Sequence, residues 1–497
     1  MSGNAGHSPL ERRLDFLIRW GLLLIVVLAP LPFGAVETWA FSLLEISIAA
    51  VGLLWLYRLF LVPSTRIHGS VLLLPACGLL ALMALQLVPL PPRLLRMVSP
   101  GTTDLYASAL PGYAAGTRAI AEAEATLTGE SPPAAGEWRP VSQVPQATRT
   151  YLLKGIAFTL LFFLILNAFR EERHLRRLLF VFAVAGAFQA FYGLTEYLSG
   201  HQHIFAYRKK YYTEAATGTF INRNHFALLL EMSLLVTLGL LFSKMRRGEP
   251  GRTWRERLLS LNERGTSVNL TLTLAAVLVS VALVLSYSRA GIIFGLTAAG
   301  LFSLAQVREG WSARKLVIVA LLVVAVLAPA YGIGYWTLTG RYAILTEEVT
   351  VPGGRLTVWE RTLAIFRDFP LLGTGVGTFQ HVFPRYRPAS VRAFYDYSHN
   401  DYVQLLSESG LAGGLMLVWG VSLAAWLWLR RRAGGTTIGV LRTATGFGLL
   451  AVGLHEIVDF GLQIPANFVA VTVLAGCLSL LATLPVHGEG QTESDHV

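Results

Sequence analysis

Two cysteines in 497 residues exclude a disulfide framework and leave no thiolate set for a metal; both, Cys77 and Cys477, lie inside apolar segments. Charge is scarce as well. Only 14% of residues are Asp, Glu, Lys or Arg, which excludes an ordinary soluble domain, where about a quarter are charged. Acid is scarcer than base, 30 against 41, and the net charge is +11. No GxxxxGK[ST] segment occurs, so nothing is expected to cradle ATP phosphates. The first apolar region has no small-residue cleavage site after it and is expected to remain as a first span.

Long apolar runs dominate what is there. Mean hydropathy is +0.53, and runs of roughly 20 residues, the length that crosses the hydrocarbon, recur along the chain. They predict an all-α, polytopic membrane protein of about twelve transmembrane helices. The expected spans are 16–33, 39–62, 69–90, 150–169, 178–198, 224–242, 268–285, 290–306, 316–337, 402–429, 438–455 and 465–484. Residues 1–90 then hold helices one to three, 150–337 helices four to nine, and 402–484 helices ten to twelve. A polar segment at 91–149, rich in Ala, Gly, Pro and Thr, leaves room for short helical pieces. A large loop, 338–401, is expected to carry short helices, and 485–497 forms a tail.

A net charge of this size could signal nucleic acid, but the bases cluster in alternate short loops. Arg12, Arg13 and Arg19 flank the start; Arg170, Arg173, Arg176 and Arg177 follow the fourth span; Lys244, Arg246 and Arg247 follow the sixth; Arg308, Arg314 and Lys315 follow the eighth; Arg430, Arg431 and Arg432 follow the tenth. Positive loops face the cytoplasm, so both termini are expected there, with the two long polar segments outside and no nucleic-acid partner. The large loop nevertheless carries Arg341, Arg355, Arg361, Arg367, Arg385, Arg387 and Arg392. Long loops escape the charge bias, so these arginines need another use.

Four features share the outer side. The stretch 398–414, SHNDYVQLLSESGLAGG, puts His399 and Asn400 where a polar loop opens an apolar helix. On a helix His399, Tyr402 or Val403, Leu406 and Gly410 would fall near one face, and Gly410, Gly413 and Gly414 would admit another helix. An imidazole there can serve as a general base or simply cap the helix. The stretch 218–227, GTFINRNHFA, offers Asn222, Arg223, Asn224 and His225 to hydroxyls or phosphate oxygens, or a cap to its helix. In 286–291, SYSRAG, Arg289 sits between two apolar runs, where it either faces a charged partner or reaches the interface. In 352–361, PGGRLTVWER, Arg355 follows two glycines; the alternative use is a charged helix lying on the membrane. A lesser group, His455, Glu456 and Asp459, lacks the second His of a zincin and reads as an interfacial hydrogen-bond cluster. Arginines with few carboxylates suit an anionic substrate, since a guanidinium meets phosphate bidentately.

These residues resemble a known family. HNDYVQLLSESGLAGG is similar to the signature of the O-antigen ligase and O-antigen polymerase superfamily: His, then Asn, Ser or Gln, nine residues, Gly, two more, and a small residue. His399, Asn400, Gly410 and Gly413 fill it. SYSRAG and GGRLTVWER…FPLLGTGVGTF also resemble blocks of that family; the segment 91–149 resembles none. The resemblance implies a membrane glycosyltransferase of the bacterial inner membrane, acting at the periplasmic face on a glycan carried by undecaprenyl pyrophosphate. The acceptor would be lipid A–core in the ligase branch, a second lipid-linked repeat in the polymerase branch, or a protein serine or threonine in a third. It implies no metal, no nucleotide sugar and no other cofactor. His399 matches the family's essential base, and Arg289 and Arg355 match its pyrophosphate-binding arginines. Arg223, Asn224 and Asn400 are weaker contacts. Direct displacement would invert the anomeric carbon. A reading from another class, a twelve-helix transporter, calls for broken helices and buried charges near the midplane with matching halves. The residues here gather at one boundary instead, and the halves do not match.

Overall fold

The computed structural model describes residues 9–62, 65–110, 138–245, 264–307, 354–391, 393–430 and 436–484, with isolated positions between 113 and 129. The expected span 316–337, the loop 246–263, residues 338–353, most of 111–137 and the tail 485–497 lie outside them. So do Arg308, Arg314, Lys315, Arg341, Arg392, Arg431 and Arg432.

The chain is a helical membrane bundle. Its long helices are α1 (Pro9–Leu28), α2 (Thr38–Leu61), α6 (Pro145–Ala168), α7 (Glu172–Ser199), α8 (Arg223–Met245), α9 (Arg264–Leu285), α10 (Arg289–Val307), α13 (Asp401–Leu429), α14 (Thr437–His455) and α15 (Pro465–Thr483). Shorter ones are α3 (Leu73–Leu87), α4 (Pro92–Val98), α5 (Pro100–Ala109), α11 (Arg355–Asp368) and α12 (Phe379–Val382). Among the described residues nine helices are long and apolar enough to cross a membrane. The helix within the expected span 69–90 has only 15 residues, and α1 carries charges along its first half. Local chemistry sets the ends. Pro145 and Pro465 occupy first-turn positions of α6 and α15, where a missing N–H is harmless. Gly200 ends α7 in the left-handed conformation. Thr436 caps α14 by accepting from Gly439 N at 3.1 Å.

The central helix is α8. Its apolar window is wholly buried, whereas only 17% of that of α13 is, so α8 is ringed by α7, α9, α10, α14 and α15 while α13 turns Leu415, Val418 and Val421 outward. Lipid is as apolar as these side chains, so burial in it drives little; close packing holds the bundle. A Cβ on Gly186 of α7 would lie 1.9 Å from Ser233 Oγ on α8, which is how near the two helices come.

One helix is broken. Asn400 caps α13, its Oδ1 accepting from Tyr402 N at 3.1 Å and Val403 N at 3.0 Å. His399 therefore precedes the helix rather than sharing its face. Ten residues on, Gly410 departs from helical geometry (φ 63°, ψ −162°). What approaches it is a loop, not the helix expected for this glycine: Leu411 N and Ala412 N donate to Pro370 O and Leu371 O at 2.7 and 3.1 Å. The same loop, 369–379, donates Thr374 N to Ser407 O (3.1 Å) and Gly375 N to Glu408 O (2.9 Å). The Glu408 carboxylate accepts Phe379 N at 2.8 Å, starting α12. Gln86 of α3 completes the clamp, donating to Leu372 O (2.6 Å) and Glu408 O (2.9 Å) and accepting from Val376 N (3.1 Å). The outer loop is thus fastened to the broken turn.

A side chain at Gly410 would meet Leu371 and Leu372 backbone atoms at 2.4 to 2.6 Å, in a backbone region essentially closed to other residues. Gly410→Ala is expected to destabilise the protein by roughly 1–3 kcal/mol through backbone strain alone. Gly300→Ala, with nothing within 4 Å, should not. Thermal unfolding of both variants in detergent checks the difference.

Candidate active site

The site is assembled at one end of the bundle from five pieces of chain. His399 is held in left-handed backbone (φ 56°), a strained state for a non-glycine residue. Its neighbours fix it. Ser398 N donates to Gln404 Oε1 at 2.9 Å, Ser398 Oγ donates to Asn400 O at 2.8 Å, and Asn400 caps the helix. The backbone is therefore overdetermined on both sides of the strained residue, and the imidazole has one direction to point.

It points at Asp459. His399 Nδ1 lies 3.9 Å from Asp459 Oδ1, and His225 Nε2 also lies 3.9 Å from that oxygen. His455 Nε2 lies 3.8 Å from Oδ2. These are electrostatic contacts, longer than hydrogen bonds. Behind them His455 Nδ1 meets Glu231 Oε1 at 2.6 Å. Phe460 spaces the rings: the His225 and His399 imidazoles both stand edge-on to it at 4.7 Å, and Tyr397 stacks on it at 4.7 Å. His399 Nδ1, His225 Nε2, His455 Nε2 and Asp459 Oδ2 are all buried without a hydrogen-bond partner among the described residues. Buried polar atoms normally pair, so three orphaned imidazole nitrogens around one carboxylate, itself with an unpaired oxygen, mark a site built for something other than stability. The His399 side chain is 24% exposed although Nδ1 is buried; its accessible edge is the one that carries Nε2.

The turn carrying Asp459 is bolted from every side. Asp401 N donates to Glu456 O at 3.2 Å, while the Asp401 carboxylate accepts Leu462 N (3.3 Å) and Gln463 Nε2 (2.9 Å). Glu456 accepts Gly461 N at 2.7 Å. Asn467 of α15 donates to His225 O at 3.1 Å and Gly461 O at 3.3 Å. Arg355, the first residue of α11, donates Nη1 to Val458 O at 2.8 Å. That places its guanidinium beside both Asp459 and His399. Burial and then Arg355 push His399 down to about 4, against the pull of Asp459. Burial would push Asp459 up, but His455, His225 and Arg355 outweigh it and hold the carboxyl well below its usual range. Burial and the Asp401 carboxylate push Glu456 up.

The expected site residues fare differently. Arg355 and His399 come together. Arg289, half-buried, opens α10 at the same end; Gly291 in its first turn packs against Ala227 and Glu231 of α8. Arg223 lies over the Tyr212 ring at 5.3 Å, two residues before His225. Asn222 accepts Asn224 N at 2.9 Å, the capping use. The Asn400 side-chain oxygen likewise caps its helix, accepting Tyr402 N and Val403 N. The group His455, Glu456 and Asp459 is buried within the bundle, each 1% exposed, with Asp459 at the centre of the cluster. Glu231 was missed altogether; the available signal was a lone acid in the middle of an apolar run, which is costly unless used. Beside the cluster a cavity of about 410 Å³ opens between α6 and the start of α13, lined by Tyr151, Lys154, His381, Asp396, Tyr397 and Gln404.

Residues 274–418 match the family model described as O-Antigen ligase. The match supports the O-antigen ligase and polymerase superfamily and includes Arg289, Arg355 and His399, while His225, Glu231, His455 and Asp459 lie outside it. Comparison with curated proteins gave no match.

Arg355→Gln removes a positive neighbour of His399. The His399 titration is expected to move up from about 4 toward its ordinary value. NMR of the ring-labelled protein reads that midpoint; one that stays in place would mean that Arg355 does not act on His399.

Proposed function

We propose that this protein is a membrane glycosyltransferase that moves a glycan from undecaprenyl pyrophosphate to an acceptor hydroxyl, that of lipid A–core, without ATP or a catalytic metal. One observation carries the reading: an imidazole with an accessible Nε2 edge, turned by a buried carboxylate and flanked by an arginine, within the segment matched by the O-antigen ligase family. The use of a second lipid-linked repeat as acceptor differs only in the nucleophile and is an outcome of the test below. The bases Arg12, Arg19, Arg173 and Arg177 gather where α1 and α7 begin, at the opposite end of the bundle from His399, which supports an inner-membrane orientation with cytoplasmic termini and a periplasmic site.

In this mechanism the acceptor oxygen bonds to the anomeric carbon and passes its proton to His399 Nε2. The bond from that carbon to the phosphate oxygen breaks, and its electron pair leaves on undecaprenyl pyrophosphate. One displacement inverts the anomeric centre. Asp459 keeps Nδ1 protonated and stabilises the imidazolium as it forms, as a buried carboxylate does behind a catalytic histidine. Arg355 and Arg289 receive the charge growing on the leaving group, where fixed donors lower the barrier most. Arg223 and Asn224 provide secondary contacts, and the cavity beside Tyr397, with its aromatic and amide lining, receives a sugar. Arg355 also makes the base responsive. A bound pyrophosphate neutralises the guanidinium, so the proton affinity of His399 rises when donor is in place.

Purified protein with lipid-linked glycan and lipid A–core, in EDTA, is expected to yield glycosylated lipid A–core. A ladder of longer lipid-linked chains would assign the polymerase reaction instead. His399→Ala should reduce transfer by roughly 100- to 10,000-fold, the usual contribution of a positioned base, and undiminished transfer in the variant would remove His399 from the mechanism. Asp459→Asn, close in shape, should lower kcat more than it raises KM. The base acts in its neutral form, so rate falls as pH drops through its pKa. The acid limb of kcat/KM, which reports the free enzyme, is expected near the value of about 4, with the limb of kcat above it.

A further inference from the structure

A second cluster stands at the same end of the bundle and shares no residue with the His399 centre. Glu196 lies in the last turn of α7, and beyond Gly200 the chain turns back through His201 and His203 into a hairpin (β1, His203–Ile204, antiparallel to β2, Tyr207–Arg208). One ligating atom from each of Glu196, His201 and His203 lies within 4.8 Å of the others. Glu196 Oε2 meets His201 Nδ1 at 3.0 Å and accepts His203 N at 2.7 Å. The imidazoles are stacked, with centroids 3.8 Å apart and planes at 22°.

Two features make this more than a chance grouping. His203 Nδ1 lies 2.6 Å from the His201 carbonyl oxygen. A carbonyl only accepts, so Nδ1 carries the proton and Nε2 carries the lone pair. This is the arrangement in which an outer hydrogen bond fixes a histidine as a metal ligand. The backbone around the three groups is also anchored. Phe205 N donates to Tyr192 OH at 2.7 Å, and Lys209 Nζ donates to Gln202 Oε1 at 2.9 Å and Ala215 O at 3.0 Å. The ligand set is therefore presented by a fixed hairpin on a helix end, and the His201 side chain is 60% exposed, which leaves a path for an ion and room for water.

We propose that Glu196, His201 and His203 bind one divalent transition-metal ion, with zinc as the best match to two imidazoles and a carboxylate. The ion takes the place of the hydrogen bond between Glu196 and His201 and staples the segment after α7 to the end of that helix. Its role is structural and does not depend on the transfer reaction.

The test uses the full-length protein, purified without a polyhistidine tag and stripped with chelator, titrated with zinc chloride by calorimetry. The wild type is expected to bind one ion at this site and to gain thermal stability from it. His203→Ala should weaken that binding by about 100-fold or more, beyond the 10- to 100-fold typical of outer-shell changes. Glu196→Gln keeps an oxygen to accept His203 N–H, so the hairpin persists, yet it removes the anionic ligand; weakening of at least about tenfold is expected. The proposal fails if the wild type shows no saturable site, or if both variants bind zinc as the wild type does. It fails equally if His399→Ala, rather than His203→Ala, removes the binding.

Discussion

The structure depends on one buried anion. Asp459 is 1% exposed, and a carboxylate taken so far from water must be compensated or it will not ionise. Compensation comes from four directions: His225 on the central helix, His455 at the end of α14, His399 ahead of α13 and Arg355 at the start of α11. None of these groups closes to full hydrogen-bond distance. The carboxylate is held by the field of several cations and dipoles rather than by one tight pair. That leaves orphaned nitrogens facing the same spot, a poor arrangement for stability and a good one for a reaction in which a proton arrives.

The broken helix serves the same end. An unbroken α13 would offer its backbone only to itself. The interruption at Gly410 frees N–H and C=O groups that loop 369–379 takes up, with Gln86 bridging. The loop and α11, which bears Arg355, are thereby tied to the helix whose first residues position His399. Rigid attachment matters because the energy of a charge on a developing leaving group depends steeply on distance.

Much of this was legible in the sequence. Hydropathy located the nine long apolar helices found among the described residues because lipid enforces length and apolarity locally. His399, Arg355 and Arg289 could be picked out because polar residues at the edge of apolar runs are few. For Asn222 a substrate contact and a cap were both open, and its side-chain oxygen accepts Asn224 N, since an open helix end is always present to compete for a short amide. Asp459 was underrated because it follows a histidine and a glutamate in a stretch resembling any interfacial turn. Its depth depends on α8 and α15 closing over it, from more than two hundred residues away in the case of α8. Glu231 lay unremarked for the same reason: its partner, His455, is remote in the chain.

By itself, then, the sequence determined that this is a multi-pass helical membrane protein, where its polar boundaries fall, and which arginines and which histidine stand at them. Those are properties of single segments in a solvent that tolerates no unpaired backbone. Tertiary structure alone decided that three histidines share one carboxylate and that α13 breaks to receive a loop. Each requires two distant segments at hydrogen-bond or Coulomb range, and no local pattern of residues encodes a distance between segments that meet only when the bundle closes.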